Sequence, residues 1–135
     1  MEIRGNVSVM TRLTSTGQHA STARMDSHQI AAEMVGALGP TLVAAMTGSK
    51  DRKLPSKWAR PDGPTPSTDF LRRLQFGHRT WKRIEGEEGA HVARQWFIGG
   101  NPLLGEVTPL TAIREDRLRE VSVALDGFLS SAADV

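Results

Sequence analysis

Apolar residues recur every three or four positions along most of the chain after residue 25, a spacing that predicts amphipathic helices. We see no run of alternating apolar and polar residues typical of a half-buried strand, so the pattern predicts an all-α fold. The predicted helices cover residues 28–38, 41–46, a short segment between residues 51 and 60, and residues 69–84, 90–97, 110–113 and 116–129.

Local start and stop signals support these helices. Asp26 or Ser27 can cap the first helix, and Gly39 can end it. Pro40 suits the first turn of the second helix. In Thr108-Pro109, the threonine predicts an N-cap and the proline a first helical position.

The long helix at residues 69–84 can be capped by Ser67 or Thr68, after an extended connection over residues 61–66. We expect Gly77 and His78 to weaken its middle and a turn to follow at residues 86–89. Its predicted apolar side consists of Phe70, Leu71, Leu74, Trp81 and Ile84. The stripe predicted for the last helix consists of Leu118, Val121, Leu125 and Phe128.

Composition adds a predicted division of the chain. Residues 1–25 are rich in small polar residues without a helical or strand period, so we expect a disordered tail. Residues 26–85 form a predicted helix-turn-helix-like domain with a long connecting helix, and residues 86–135 a second helical domain. The chain has no cysteine, its longest apolar run covers only residues 42–46, and no secretory signal is seen, so we expect a soluble cytoplasmic protein.

Charge is unevenly distributed, although the net charge is only +2. Residues 50–83 contain ten basic and three acidic residues, a balance of +7. Residues 84–135 contain nine acidic and four basic residues, a balance of −5. This asymmetry suggests an anionic partner for the middle of the chain and a different partner for its end.

Two short helices around a tight turn at residues 47–49, the second at about residues 52–60, are typical of a helix-turn-helix. Pro55 limits base reading, because proline is tolerated only in the first turn and the helix then covers only residues 55–60. A small helical core with a solvated basic rim explains the same features equally well, with Trp58 packed in the core. The candidate DNA-binding residues are Lys50, Arg52, Lys53, Ser56, Lys57 and Arg60.

A second cluster lies at residues 96–110, and its members have plain structural roles. Trp96 can anchor a core, Asn101 can bond nearby backbone before Pro102, and Thr108 can cap a helix. None of these roles requires a ligand.

The order of these motifs resembles that of the Xre/MbcA/ParS family of antitoxins. The matching residues are Trp96, Asn101-Pro102, Leu104, Thr108-Pro109, Ile113, Val121 and Leu125. Upstream, Lys57-Trp58, Gly63 and the long helix resemble the family's Xre-like helix-turn-helix part. The resemblance covers about residues 27–128 and is strongest over residues 96–125.

The resemblance implies a type II antitoxin paired with a RES-domain toxin that consumes NAD. It also implies that the C-terminal domain binds the toxin, that residues 130–135 block the toxin's active-site cleft, and that the helix-turn-helix represses the shared operon. The toxin-binding residues that it implies are Trp96, Asn101, Pro102, Leu104, Thr108, Pro109, Phe128 and Val135.

A second hypothesis is a helix-turn-helix transcription regulator or phage-type repressor without a toxin. We expect no catalytic activity, metal or cofactor, because the four histidines lack ligand spacing and no phosphate-cradling glycine motif is present. A homodimer or a larger hetero-oligomer with the toxin is expected, since small helix-turn-helix proteins usually act as dimers.

Overall fold

The computed structural model describes residues 25–133, which form seven α-helices and one 3₁₀-helix and contain no strand. The predicted all-α fold is confirmed. Except for Met25, the predicted disordered tail lies outside the described residues. The helices are α1 (Ser27–Leu38), α2 (Pro40–Thr47), α3 (Leu54–Trp58), α4 (Thr68–Glu88), α5 (Ala90–Ile98), the 3₁₀-helix (Pro102–Leu104), α6 (Pro109–Arg114) and α7 (Leu118–Ala133).

The signals predicted for the ends of α1, the start of α2 and the start of α6 are confirmed, whereas Ser67, at the N-cap position of α4, makes no side-chain capping hydrogen bond. Asp26 caps α1 by accepting a hydrogen bond from the backbone N–H of His28 at 3.1 Å. Gly39 separates α1 from α2 with a φ of 88°, and Pro40 lies in the first turn of α2. Thr108 caps α6 by accepting from the backbone N–H of Thr111 at 3.0 Å. These signals act through contacts between residues two or three positions apart, so the helix ends can be predicted without knowledge of the tertiary contacts.

Helix α4 is longer than predicted. It continues through Gly86 to Glu88 and ends at Gly89, whose φ is 91° and whose N–H donates to the carbonyl of Glu85. The predicted turn at residues 86–89 is therefore wrong: Gly86 is tolerated inside the helix, and only Gly89 adopts the conformation that glycine favours.

Gly77 does not interrupt α4, because it lies where α2 packs closely against that helix. A Cβ atom at Gly77 would lie only 2.5 Å from the buried Sδ atom of Met46. The glycine thus makes room for a core side chain of α2, which offsets part of its low helix propensity.

One hydrophobic core joins the helices on both sides of residue 85. Leu74, Trp81 and Ile84 of α4 are buried at its centre. The Trp81 and Phe97 ring centroids lie 5.8 Å apart, which connects α4 with α5. The predicted boundary between residues 85 and 86 falls inside α4. The two predicted parts share one core, because buried residues from both belong to it.

The predicted apolar faces differ in depth. Phe70 and Leu71, at the start of α4, are only half-buried, as are Leu118 and Phe128 of α7. Val121 and Leu125 of α7 are buried as predicted, together with Ala124 and Leu129.

Across residues 25–133, no single helix is long and apolar enough to cross a membrane; α1 and α2 meet those criteria only as a pair, which is bent by 117°.

Candidate functional site

The first candidate surface follows the end of α2. Gly48 ends that helix with a φ of 92°, and a loop of residues 49–53 leads to α3. The hydroxyl of Ser49 donates to the carbonyl of Asp51 at 2.9 Å. The Asp51 carboxylate in turn accepts from the backbone N–H of Lys53 at 2.9 Å. These local bonds hold the loop, which carries Arg52 and Lys53, in a defined shape before α3.

Helix α3 is shorter than the predicted segment of residues 52–60. It contains five residues, and Pro55 lies in its first turn, where the missing amide removes no helical hydrogen bond. Trp58 is 1% exposed, so the prediction that it packs in the core is confirmed. The Nδ1 atom of His28 and the carbonyl oxygen of Trp58 are hydrogen-bonded at 2.8 Å, which fixes the end of α3 on α1.

All six predicted DNA-binding residues are exposed, and we call them the basic surface. Within residues 25–133, the one ion pair that they form joins Arg60 to Asp62 at 4.0 Å, with both side chains mostly in water. Such an exposed pair neutralises little charge. The members of the basic surface are Lys50, Arg52, Lys53, Ser56, Lys57 and Arg60.

Two arginines at the start of α4 are neutralised instead. Arg73 contacts the Asp116 carboxylate at 3.0 Å and Arg72 contacts it at 2.8 Å. Hydrogen bonds from Arg73, and then from Arg72, lower the pKa of Asp116 from 3.8 to about 2. Arg72 also pairs with Asp69 at 2.9 Å, and its pKa is raised, first by Asp116 and then by Asp69. The basic surface therefore keeps most of its positive charge, whereas the neighbouring arginines at the start of α4 do not.

The second candidate surface is built around Asn101. Its side-chain oxygen accepts from the backbone N–H of Leu103 at 2.9 Å, which confirms that it bonds nearby backbone. Its carbonyl accepts from the N–H groups of Leu104 and Glu106, each at 2.9 Å, and its own N–H donates to Val107 at 3.0 Å. Asn101 therefore organises the loop between α5 and α6.

Three of the predicted toxin-binding residues lie inside the fold. Trp96, Leu104 and Pro109 are buried, so in this conformation they support a surface rather than form one. Phe128 is half-buried, and its ring centroid lies 6.2 Å from that of Trp96.

The other predicted toxin-binding residues differ in their exposure to solvent. Pro102 is exposed, whereas Asn101 and Thr108 are half-buried and hold the loop and the start of α6. Val135 lies outside the described residues.

The structure also reveals exposed apolar residues that the sequence interpretation missed. Leu103 is 65% exposed and Val123 is 60% exposed. Leu103 lies beside Gly127, where an added Cβ would be 3.6 Å from its Cδ1 atom. Val123 lies one turn before Gly127 on the same face of α7. We call Leu103, Val123 and Gly127 the apolar surface.

A sequence signal for part of this surface existed. Val123 is apolar but does not belong to the buried stripe of Val121 and Leu125, so its position on the helix directs it away from the core. For Leu103 the signal was weaker, because it adjoins the buried Leu104 in the 3₁₀-helix. Only the tertiary structure shows which of these two leucines is covered.

Among residues 25–133, no group of three or more histidine, aspartate or glutamate side chains could hold a metal ion. The candidate site thus consists of the two surfaces described above, the cationic basic surface and the apolar surface. Comparison of the chain with known protein families, with curated proteins and with solved structures finds no match.

Proposed function

We propose that this protein is the antitoxin of a type II toxin-antitoxin system and has no catalytic activity of its own. Its partner is a RES-domain toxin that consumes NAD, as the resemblance to the Xre/MbcA/ParS family implies. The protein works in the cytoplasm as a homodimer or as a larger complex with the toxin. The toxin contacts the part of the chain after residue 85.

The observation that carries this proposal is the position of the exposed apolar residues. In the described part of the chain, the exposed large hydrophobic residues are Ile98, Leu103 and Val123, and all three follow residue 85. Leu103 lies beside Gly127, one turn from Val123 on α7, and exposed apolar residues close together are typical of protein–protein interfaces. The charge of −5 over residues 84–135 disfavours a nucleic acid at the same surface.

The buried and half-buried motif residues fit this proposal because they support the exposed ones. Asn101 shapes the loop that presents Leu103, and Thr108 starts the helix that follows. Trp96 packs against Phe128 of α7, the helix that carries Val123. Residues 130–133 form the last turn of α7, and we propose that residues 130–135 together block the toxin's active-site cleft.

The test is co-expression with the neighbouring gene. We expect growth arrest from the neighbour alone, rescue by this chain, and co-purification of the two proteins. Leu103→Asp and Val123→Asp, which place a charge on the apolar surface, should each abolish rescue. Thr41→Asp is the control, because Thr41 is exposed at the start of α2 and tolerates an acidic residue there. A non-toxic neighbour that does not co-purify would disprove the proposal.

The basic surface favours a second candidate function, namely binding of operator DNA. This activity fits an antitoxin that represses its own operon, and it fits equally a transcription regulator or phage-type repressor without a toxin. The five exposed cations can neutralise phosphates, and Ser56 can approach the groove. Since α3 has only five residues, few side chains can read bases. Sequence-specific binding to the upstream DNA, with a toxin gene absent from the neighbourhood, would favour the regulator.

A further inference from the structure

A groove runs along α1 where that helix faces α4 and α7, apart from both surfaces described above. Its wider part has a volume of about 860 Å³, within the range of about 300–1,000 Å³ that is usual for ligand sites. A smaller depression continues beside α1 and shares Glu33 and Lys82 with the wider part. Apolar side chains that line the wider part are Met25, Ile30, Phe76 and Leu125.

The groove also contains a buried hydroxyl. Thr80 lines the wider part although it is only 3% exposed. The hydroxyl of Thr47, the other buried threonine, donates to the carbonyl of Val43 at 2.9 Å. The Thr80 hydroxyl has no hydrogen-bond partner within residues 25–133. Because a buried polar group without a partner is costly, the groove is suited to a segment that offers a hydrogen-bonding group at this point.

The chain itself leads into the groove. Met25 lines the groove and packs against the core. Residues 1–24 precede Met25 and are therefore tethered to a residue that lines the groove. Helix α1 has 12 residues, so it is about 18 Å long, and about six residues of extended chain would cover that length. The apolar residues that this segment can offer include Ile3, Val7, Val9, Met10 and Leu13.

We propose that residues 1–24 dock in this groove of their own chain, cover the half-buried Phe76 and supply a hydrogen-bond partner to Thr80. Tethering supports this occupant over a separate protein. A short tether gives a local concentration on the order of millimolar, so contacts too weak for a free peptide still form within one chain. The docked segment would cover a face that neither the basic surface nor the apolar surface uses.

The test uses the full-length chain and the absence of native cysteine. Ser122→Cys places a single thiol in the groove, and Ser56→Cys places one on the exposed α3 as the matched control. Each variant carries a nitroxide label, and amide signals of residues 1–24 are recorded in ¹⁵N-labelled protein. A far-UV spectrum equal to that of the native chain confirms that each variant is folded.

We expect the label at position 122 to broaden signals within residues 1–24 at least threefold more than the label at position 56. Equal broadening from the two positions, or no broadening from position 122, would overturn the proposal. A mixture of nitroxide-labelled chains without ¹⁵N and an excess of ¹⁵N chains without nitroxide distinguishes docking within one chain from docking between two chains. Broadening of signals from the ¹⁵N chains without nitroxide would assign the groove to a second copy and would overturn docking within one chain.

Discussion

Arg73 and Asp116, 43 residues apart in sequence, form an ion pair with two hydrogen bonds, from Nε to Oδ1 at 3.1 Å and from Nη2 to Oδ2 at 3.0 Å. The third nitrogen of Arg73, Nη1, donates to the carbonyl of Thr47 at 2.7 Å. One guanidinium thereby joins the end of α2, the start of α4 and the turn between α6 and α7. The planar fork of arginine makes this arrangement possible, and lysine could not reproduce it.

This pair predicts a dependence of stability on pH. Because the pKa of Asp116 is lowered from 3.8 to about 2 in the folded protein, its contribution to stability is complete above about pH 4 and is lost as the pH falls through about 2. Asp116→Asn removes the charge but keeps a residue that tolerates the φ of 61° at this position. We expect this variant to lose about 1 kcal/mol or less at pH 7, since solvent screens the half-exposed carboxylate.

Urea midpoints at pH 7 and pH 2.5 measure the effect. The difference between the native chain and Asp116→Asn should shrink at the lower pH. Asp62→Asn, which removes an exposed carboxylate 4.0 Å from Arg60, is the control and should behave as the native chain at both pH values. A difference that is constant between pH 7 and pH 2.5 would contradict the prediction.

Gly77 and Met46 should be energetically coupled. Gly77→Ala places a Cβ 2.5 Å from the Met46 Sδ atom, so we expect a loss of about 1–3 kcal/mol from overpacking. Met46→Ala alone should cost about 2–5 kcal/mol because it leaves a cavity. The double variant should cost less than the sum, since the new methyl group occupies part of that cavity. Additive losses in a denaturant double-mutant cycle would show that the contact is unimportant.

Two glycines outside the core should respond in opposite directions to alanine. A Cβ at Gly63 would lie 1.9 Å from the carbonyl oxygen of Lys57, so the turn after α3 would have to rearrange, at a cost of about 1–3 kcal/mol. Gly86 lies inside α4 with no atom within 4 Å of such a Cβ. Gly86→Ala should therefore stabilise the chain by about 0.5–1 kcal/mol. Thermal unfolding of both variants checks the signs, and a loss on Gly86→Ala would be the contrary result.

Asn101 should matter for both stability and partner binding. Asn101→Ala removes the acceptor for the Leu103 N–H, and we expect a loss of about 1 kcal/mol and weaker neutralisation of the toxin because Leu103 is no longer held. Asn101→Asp keeps an acceptor oxygen and should retain most of both properties. Unfolding midpoints and growth rescue measure the two effects. Equal loss in both variants would argue against the role of this hydrogen bond.

Removal of charge from the basic surface should weaken DNA binding equally for all sequences. Each of Lys50→Ala, Lys53→Ala and Lys57→Ala should reduce the slope of log affinity against log salt by about 1, as expected for one phosphate contact. Arg119→Ala, which removes an exposed arginine of α7, is the control. Unchanged slopes in all three lysine variants would contradict DNA binding by this surface.

The sequence by itself determined the helices and most of their ends. Asp26, Gly39, Thr108 and Pro109 act on backbone groups only a few residues away, so their effects can be predicted without the fold. The predicted end of α4 failed because Gly86 and Gly89 look alike in sequence. Only the observed backbone shows that Gly89 takes a positive φ and ends the helix.

Only the tertiary structure decided which side chains reach the surface and which distant residues meet. The motif of residues 96–109 did not indicate that Leu104 is buried while its neighbour Leu103 is exposed, because that difference depends on how α7 packs over the 3₁₀-helix. Likewise, Arg73 and Asp116 show no local signal of their pairing. Burial and long-range ion pairs depend on contacts between helices that are distant in sequence, whereas helix caps and the helical spacing of apolar residues depend on a few neighbouring residues.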